Sequence, residues 1–90
     1  MQKFLLCYDI SDNRERLKVE KLASRFGLRV QKSIFWCVQP KGSKALHEAL
    51  ESLSLKTGSI LLLPAPAWEA VQAFGAVQPV EVGEEAWLVV

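Results

Sequence analysis

The chain alternates between short apolar runs and stretches in which apolar residues recur at helical spacing. Residues 3–8 contain the apolar and aromatic run Phe4–Tyr8 and end at polar positions, which predicts a buried strand. Asp12, followed by Glu15 three positions later, predicts a capping box at the start of a helix over residues 12–26, which Gly27 ends. The chain is therefore predicted to open with one strand and one helix.

This predicted helix has two faces of different chemistry. Its core face, about 100° wide on a helical wheel, is formed by Val19, Leu22, Ala23 and Phe26. Its basic face, about 40° wide, is formed by Arg14, Lys18, Lys21 and Arg25, which we call the basic stripe. One side of the helix is thus expected to pack on a core while another carries positive charge.

The next elements complete a recognisable order. Residues 28–38 are rich in branched and aromatic side chains and are long for one strand, which predicts two strands meeting near Lys32 and Ser33, or one bent strand. Ser43 is the predicted cap of a second helix, and residues 59–63 predict another buried strand. This order predicts a ferredoxin-like βαββαβ fold of the α+β class, with both helices on one face of an antiparallel sheet.

The pattern changes near residue 64, where two prolines close the last core strand. We assign residues 1–64 to the ferredoxin-like core and residues 65–90 to a C-terminal extension of the same single domain. The extension predicts two more strands, over residues 77–82 and 85–90. Because the last of these ends in four apolar residues, we expect it to be covered by pairing with the sheet edge of a second copy.

Composition limits the class of protein. A chain of 90 residues, half of them hydrophobic and 23% charged, is expected to form one small globular domain that leans on a partner subunit. No apolar run reaches the ~20 residues of a membrane span, and no secretory signal is evident, so we expect a cytoplasmic protein without membrane contact. Cys7 and Cys37 lie in apolar stretches and are expected to be buried, reduced thiols.

The net charge of +1 hides an asymmetry along the chain. Residues 1–44 hold ten of the eleven lysines and arginines against four acids, whereas residues 45–90 hold one lysine against six glutamates. The basic stripe, extended by Arg16, Arg29 and Lys32, would attract phosphates in a salt-dependent way without reading sequence. The alternative is an ordinary solvated helix face.

Asp9 follows the first predicted strand and has two interpretations. It can be a turn or helix-entry carboxylate, or a ligand for Mg²⁺, which prefers carboxylate oxygen and keeps several waters. One aspartate is too few for a site within one chain, so the second interpretation requires a two-fold dimer that supplies a second copy. His47 is the only histidine, and no Cys/His spacing suits zinc.

Three segments together carry a resemblance to a known family. "YDIS" at 8–11, "KVEKLASRFG" at 18–27 preceded by Arg14 and Arg16, and "LRVQKSIFWC" at 28–37 closely resemble CRISPR-associated protein 2, the small partner of the spacer-acquisition integrase. The resemblance implies a ferredoxin-like homodimer whose C-terminal strand packs on the other protomer. Some members of the family look like metal-dependent endonucleases acting on RNA or double-stranded DNA, and others look like scaffolds for the integrase.

The resemblance also implies roles for particular residues. Asp9 would face its dimer mate and bind Mg²⁺, and Ser33 and Phe35 match the family's S-aliphatic-F segment. Two departures are evident: Trp36 stands where many relatives carry an acid, and residues 65–68 lack the cysteines that many relatives carry. The first departure removes a nearby carboxylate and weakens the case for a strong metal site.

The sequence as a whole predicts a CRISPR protein of spacer acquisition, with Mg²⁺-dependent endonuclease activity on RNA or double-stranded DNA. Asp9 is the predicted catalytic and metal-binding residue. The predicted nucleic-acid-binding residues are Arg14, Arg16, Lys18, Lys21, Arg25 and Arg29. One alternative is a non-catalytic dimeric DNA scaffold that docks the integrase subunit, and another is a small regulatory or toxin-like RNA-binding domain of the same fold.

Overall fold

The computed structural model describes residues 1–76, 80–82 and 86–88. Its elements are β1 (Gln2–Asp9), α1 (Asn13–Ser24), β2 (Gly27–Gln31), β3 (Ile34–Gln39), α2 (Ala45–Glu51), β4 (Ser59–Pro64), a short 3-10 helix (Trp68–Ala70), β5 (Val80–Val82) and β6 (Ala86–Leu88). The first six elements follow the predicted order, and the stretch after α1 is a hairpin of two strands.

The first four strands form one antiparallel sheet in the order β2-β3-β1-β4. This is the predicted ferredoxin-like arrangement, with β1 and β3 in the centre. Register pairs Cys7 of β1 with Ile34 of β3 and Leu61 of β4, so these three side chains share one face of the sheet. A register shift between Arg29 and Gln31 interrupts the outer β2–β3 pairing.

The hydrophobic core lies between the sheet and the helices. Its buried members are Leu6, Tyr8, Ile10, Val19, Leu22, Ala23, Phe35, Cys37 and Leu46, with Phe26 packed against them. The predicted core face of α1 is therefore confirmed. Both cysteines are free, but only Cys37 is fully buried, and burial raises the pKa of its thiol to about 11. Cys7 is half-buried because it points to the opposite face of the sheet.

The opposite face, which we call the open face, is only partly covered by this chain. Trp36 packs edge-on against Trp68 with ring centroids 4.8 Å apart, because the segment after β4 lies across β3. Between them and Phe74 a groove of about 360 Å³ remains. Leu61 and Leu63 of the edge strand β4 stay 64% and 45% exposed. Within residues 1–76 the open face therefore keeps apolar surface that is not buried.

The C-terminal extension contains the two predicted strands in part. β5 and β6 pair antiparallel, with Val80 opposite Leu88. The remaining residues of the two predicted strands, 77–79, 85 and 89–90, lie outside the described residues. The expected packing of the apolar end on a second copy, and the boundary at residue 64, stay predictions.

Asp12 caps α1 as predicted, but Glu15 does not complete a capping box. The Asp12 Oδ1 atom accepts the backbone N–H groups of Arg14 at 2.9 Å and of Glu15 at 3.4 Å. The Glu15 carboxylate instead reaches the loop before β4. There it accepts the backbone N–H groups of Lys56, Thr57 and Gly58 and the Thr57 hydroxyl. Glu15 thus ties α1 to a loop that is distant in sequence.

Two predicted helix boundaries, the end of α1 and the cap of α2, differ from those in the structure. Gly27 does not end α1, which finishes at Ser24, but begins β2; a Cβ there would lie 1.7 Å from the Trp36 carbonyl oxygen, so glycine is required by close approach. The cap of α2 is Lys44, and Ser43 supports it by accepting the Ala45 N–H at 3.2 Å.

We expect Glu15→Gln to lower the urea midpoint of unfolding at pH 7, because an amide oxygen replaces a carboxylate that accepts four hydrogen bonds. The Lys56 N–H, with the neighbouring donors of the loop, holds the pKa of Glu15 below its ordinary value of 4.5. The resulting stabilisation is present above pH 4.5 and is lost as pH falls through the lowered pKa.

The urea midpoints of the two proteins should accordingly converge at acid pH. Glu51→Gln, on the exposed surface of α2, is the matched control and should leave the midpoint unchanged. Equal midpoints for Glu15→Gln and the unaltered protein at pH 7 would contradict the role of Glu15.

Candidate nucleic-acid interface and metal-binding carboxylate

Asp9 ends β1 on the open face, opposite Ser59 of β4, and is exposed. Among the residues that the structure describes, its carboxylate takes part in no side-chain hydrogen bond or ion pair. The helix-entry role belongs to Asp12, which caps α1. Asp9 is therefore an accessible carboxylate at a strand end, with no structural partner in the described part of the chain.

The surroundings of Asp9 limit how Mg²⁺ could be held. In residues 1–76, no three His, Cys, Asp or Glu side chains are grouped closely enough to hold a metal ion. Trp36, at the position where the resemblance implies an acid, is buried against Trp68 and offers no oxygen ligand. Mg²⁺ is commonly bound by one or two carboxylates and several waters. The described residues thus offer Mg²⁺ the carboxylate of Asp9, and a copy related by a two-fold axis would supply a second one.

The basic stripe is exposed along its whole length, from Arg14 on α1 to Arg25 at the C-terminal cap of this helix. Lys18, Lys21 and Arg25 border a shallow groove that Leu53 closes on the side of α2. No acid forms an ion pair with the stripe among the described residues, where the one ion pair joins Arg29 and Glu20. The stripe is thus accessible to phosphates. The same exposure also suits an ordinary solvated helix face.

Arg16 and Arg29 do not extend the stripe. Two residues turn an α-helix by about 200°. Arg16 therefore lies nearly opposite Arg14 and Lys18 on α1. Arg16 donates to Asn13 Oδ1 at 2.6 Å, and Arg29 Nη2 lies 2.8 Å from Glu20 Oε2. The single basic surface expected from the sequence is therefore two groups on different sides of α1.

Tyr8 and Glu20 are functional candidates that the sequence did not reveal. The buried Tyr8 hydroxyl donates to Glu20 Oε2 at 2.6 Å and lies 3.1 Å from the Lys32 carbonyl oxygen. Burial, together with the Glu20 carboxylate, raises the pKa of Tyr8 to about 12. We call this connected set the Tyr8–Glu20–Arg29 network. The contact of Tyr8 with Glu20 joins two elements 12 residues apart, so no local spacing in the sequence indicated it.

Comparison with protein families matches residues 1–72 to "CRISPR associated protein Cas2". The chain is 35% identical over 66 residues to CRISPR-associated endoribonuclease Cas2 4 of Rhodospirillum rubrum, across 71% of this chain and 53% of that protein. It is 37% identical over 67 residues to CRISPR-associated endoribonuclease Cas2 2 of Synechocystis, across 71% of this chain and 72% of that protein. The chain thus spans about half the length of the first relative and 72% of the second.

Two solved structures have the same fold. A hypothetical protein of Thermus thermophilus superposes with a TM-score of 0.67 at 26% identity, covering 86% of this chain and 94% of that one. Cas2 of Streptococcus pyogenes superposes with a TM-score of 0.63 at 28% identity, covering 81% and 99%. The helices of the described residues are all too short or too polar to cross a membrane.

The tyrosinate absorbance of the protein should titrate near pH 12. The chain has one tyrosine, so the signal reports Tyr8 alone. We expect Glu20→Gln to lower the pKa of Tyr8, because the nearby charge is lost, but to leave it above 10.0 because the hydroxyl stays buried.

The stabilisation that comes from the raised pKa is complete below pH 10.0 and is lost as pH rises through about 12. Circular dichroism on the same samples would show that the fold persists during the titration. A midpoint near pH 10.0 in both proteins would contradict the network.

Proposed function

Since this chain belongs to the Cas2 family of CRISPR-associated proteins, we propose that it is a homodimeric, cytoplasmic endonuclease that cleaves RNA or double-stranded DNA with Mg²⁺. The observation that carries this proposal is the exposed carboxylate of Asp9, which has no partner in the described part of the chain and directly follows a buried tyrosine. The names of the relatives from Rhodospirillum rubrum and Synechocystis, both endoribonucleases, support the reaction class.

The open face supports the dimer. Leu61 and Leu63 are exposed on β4, which is an edge strand of the sheet. A second copy packed on this face and edge would bury both leucines and remove an unpaired strand edge. Asp9 lies on the same face, so a two-fold axis near the end of β1 would bring two copies of it together. In this proposal the C-terminal strand of the extension packs on the partner protomer, while Trp68 stays against Trp36 of its own chain.

In the proposed cleavage reaction, different residues bind the metal ion and the phosphates. Asp9 of both protomers would hold Mg²⁺, which, when bound, supplies charge for the phosphodiester oxygens and lowers the pKa of water. Arg16 and Arg29 bind phosphates next to the scissile bond, since they lie near Tyr8 at the same strand end. Arg14 and the rest of the basic stripe hold the backbone of the nucleic acid farther along α1.

A second candidate function is a non-catalytic scaffold. It is favoured by the single carboxylate that each chain contributes and by the apolar Trp36 at the position of an expected acid. In this version the basic stripe positions duplex DNA, and the C-terminal extension docks the integrase subunit during acquisition of new spacers. Asp9 then has no catalytic role.

Asp9→Asn separates the two functions. We expect the variant to lose Mg²⁺-dependent cleavage of short RNA or duplex DNA by about 100-fold or more, because the neutral amide is a poor ligand for Mg²⁺. Its affinity for the same duplex, measured by fluorescence anisotropy, should stay within about twofold.

Glu48→Gln, an exposed acid on α2, is the matched control and should cleave like the unaltered protein. Chelation of Mg²⁺ should abolish cleavage by both. Binding without cleavage by the unaltered protein, equal in Asp9→Asn, would establish the scaffold instead.

The basic stripe is tested by Lys18→Ala combined with Lys21→Ala. If both lysines bind phosphates, the slope of log affinity against log salt should become shallower by about one for each phosphate that is no longer neutralised. Lys41→Ala combined with Lys44→Ala removes the same charge from the exposed β3–α2 loop and serves as control. Equal losses of affinity in the two double variants would show that only net charge matters.

A further inference from the structure

The Tyr8–Glu20–Arg29 network joins three elements near the end of β1, on the helix side of the sheet and not on the open face that carries Asp9. Tyr8 is on β1, Glu20 on α1 and Arg29 on β2. The Tyr8 hydroxyl and the Arg29 guanidinium both contact the same atom, Glu20 Oε2, at 2.6 and 2.8 Å. The carboxylate therefore has a fixed position between a buried donor and a more exposed one.

Arg29 is held from two directions. Its Nη2 atom pairs with Glu20, and its guanidinium carbon lies 5.4 Å from the centroid of the Phe35 ring. Phe35 is buried, whereas the Arg29 side chain is 48% exposed. A guanidinium has five N–H donors in a rigid plane, so the pair with Glu20 leaves donors for a second anion.

Glu20 is held in turn by Tyr8. Tyr8 is 5% exposed and has its hydroxyl within reach of the Lys32 carbonyl oxygen, so it cannot follow a moving carboxylate into solvent. An exposed arginine normally loses side-chain freedom when it binds a phosphate, and that loss weakens binding. Because Arg29 is already fixed by Glu20 and Phe35, it loses less side-chain freedom when it binds a phosphate.

We propose that Glu20 is a positioning residue: anchored by the Tyr8 hydroxyl, it holds Arg29 over Phe35 in the orientation that binds a backbone phosphate. This inference rests on the proposed nucleic-acid binding. Simple electrostatics predicts the opposite effect of removing the residue. A carboxylate near a phosphate site repels the ligand, so its removal should tighten binding; removal of a positioning residue should weaken binding.

The test is anisotropy of a fluorescently labelled duplex of about 20 base pairs, long enough to lie across both protomers of the proposed dimer, titrated with the full chain over several salt concentrations. We expect Glu20→Ala to weaken binding about three- to tenfold and to make the salt slope shallower by about one. Glu20→Gln, which keeps an acceptor for both donors, should bind within about twofold of the unaltered protein. Glu51→Ala removes the same charge from an exposed site on α2 and should not weaken binding.

A double-mutant cycle shows whether Glu20 acts through Arg29. In an Arg29→Ala background, Glu20→Ala should cause no further loss, because no guanidinium remains to be oriented. Tyr8→Phe should weaken binding about twofold in the original background and not in Arg29→Ala, which keeps the test available if Glu20→Ala does not fold. Thermal unfolding of each variant verifies the fold.

The outcomes are distinct. Binding by Glu20→Ala that is as tight as that of the unaltered protein, or tighter, would overturn the positioning role while leaving the proposed function intact. Equal losses from Glu20→Ala with and without Arg29 would also overturn it, since the residue would then act on the fold as a whole. Absence of duplex binding by the unaltered protein would overturn this inference and the proposed action on double-stranded DNA, whereas the proposed action on RNA would be judged by the cleavage assay of Asp9→Asn.

Discussion

β1 is hydrogen-bonded to strands on both sides, and its side chains alternate strictly between two environments. Leu6 and Tyr8 point into the core under the helices, whereas Cys7 and Asp9 point to the open face. A slip of one residue would place the Asp9 carboxylate in the core and expel Tyr8. The register of this one strand therefore keeps a tyrosine fixed and an aspartate accessible at consecutive positions, and the proposed site depends on both.

The ends of the sheet are aligned by contacts outside the strands. Glu15 accepts hydrogen bonds from three consecutive backbone N–H groups just before β4, so α1 holds the start of that strand. Ser59 begins β4 and lies opposite Asp9. The Glu15 carboxylate, in the first turn of α1, thereby helps to position the start of β4. It does so without contacting Ser59 or Asp9.

α1 presents three surfaces with different roles. One packs in the core, a second carries the basic stripe, and a third places Arg16 and Glu20 near Tyr8. The angular separation of the last two surfaces means that a single straight duplex along the stripe would not also reach Arg29 on the same chain. Two protomers related by a two-fold axis would instead present both kinds of surface around Asp9, which is consistent with the apolar surface that remains on the open face.

Period-two and period-3.6 patterns by themselves determined the order of the core elements, the core face of α1 and the exposure of the basic stripe, and the residue type at position 12 determined the cap of α1. These features depend on neighbours within about four residues, so the sequence contains the information locally. The partner of Glu15, 41 residues or more away, and the contact of Tyr8 with Glu20, 12 residues away, depend on how elements pack. Only the tertiary structure decided that Gly27 serves a close approach, that Arg29 is paired, and that Arg16 lies apart from the stripe. The reason is physical: local patterns specify which face of an element is apolar, but the polar contacts between elements depend on distances that exist only after those faces have packed.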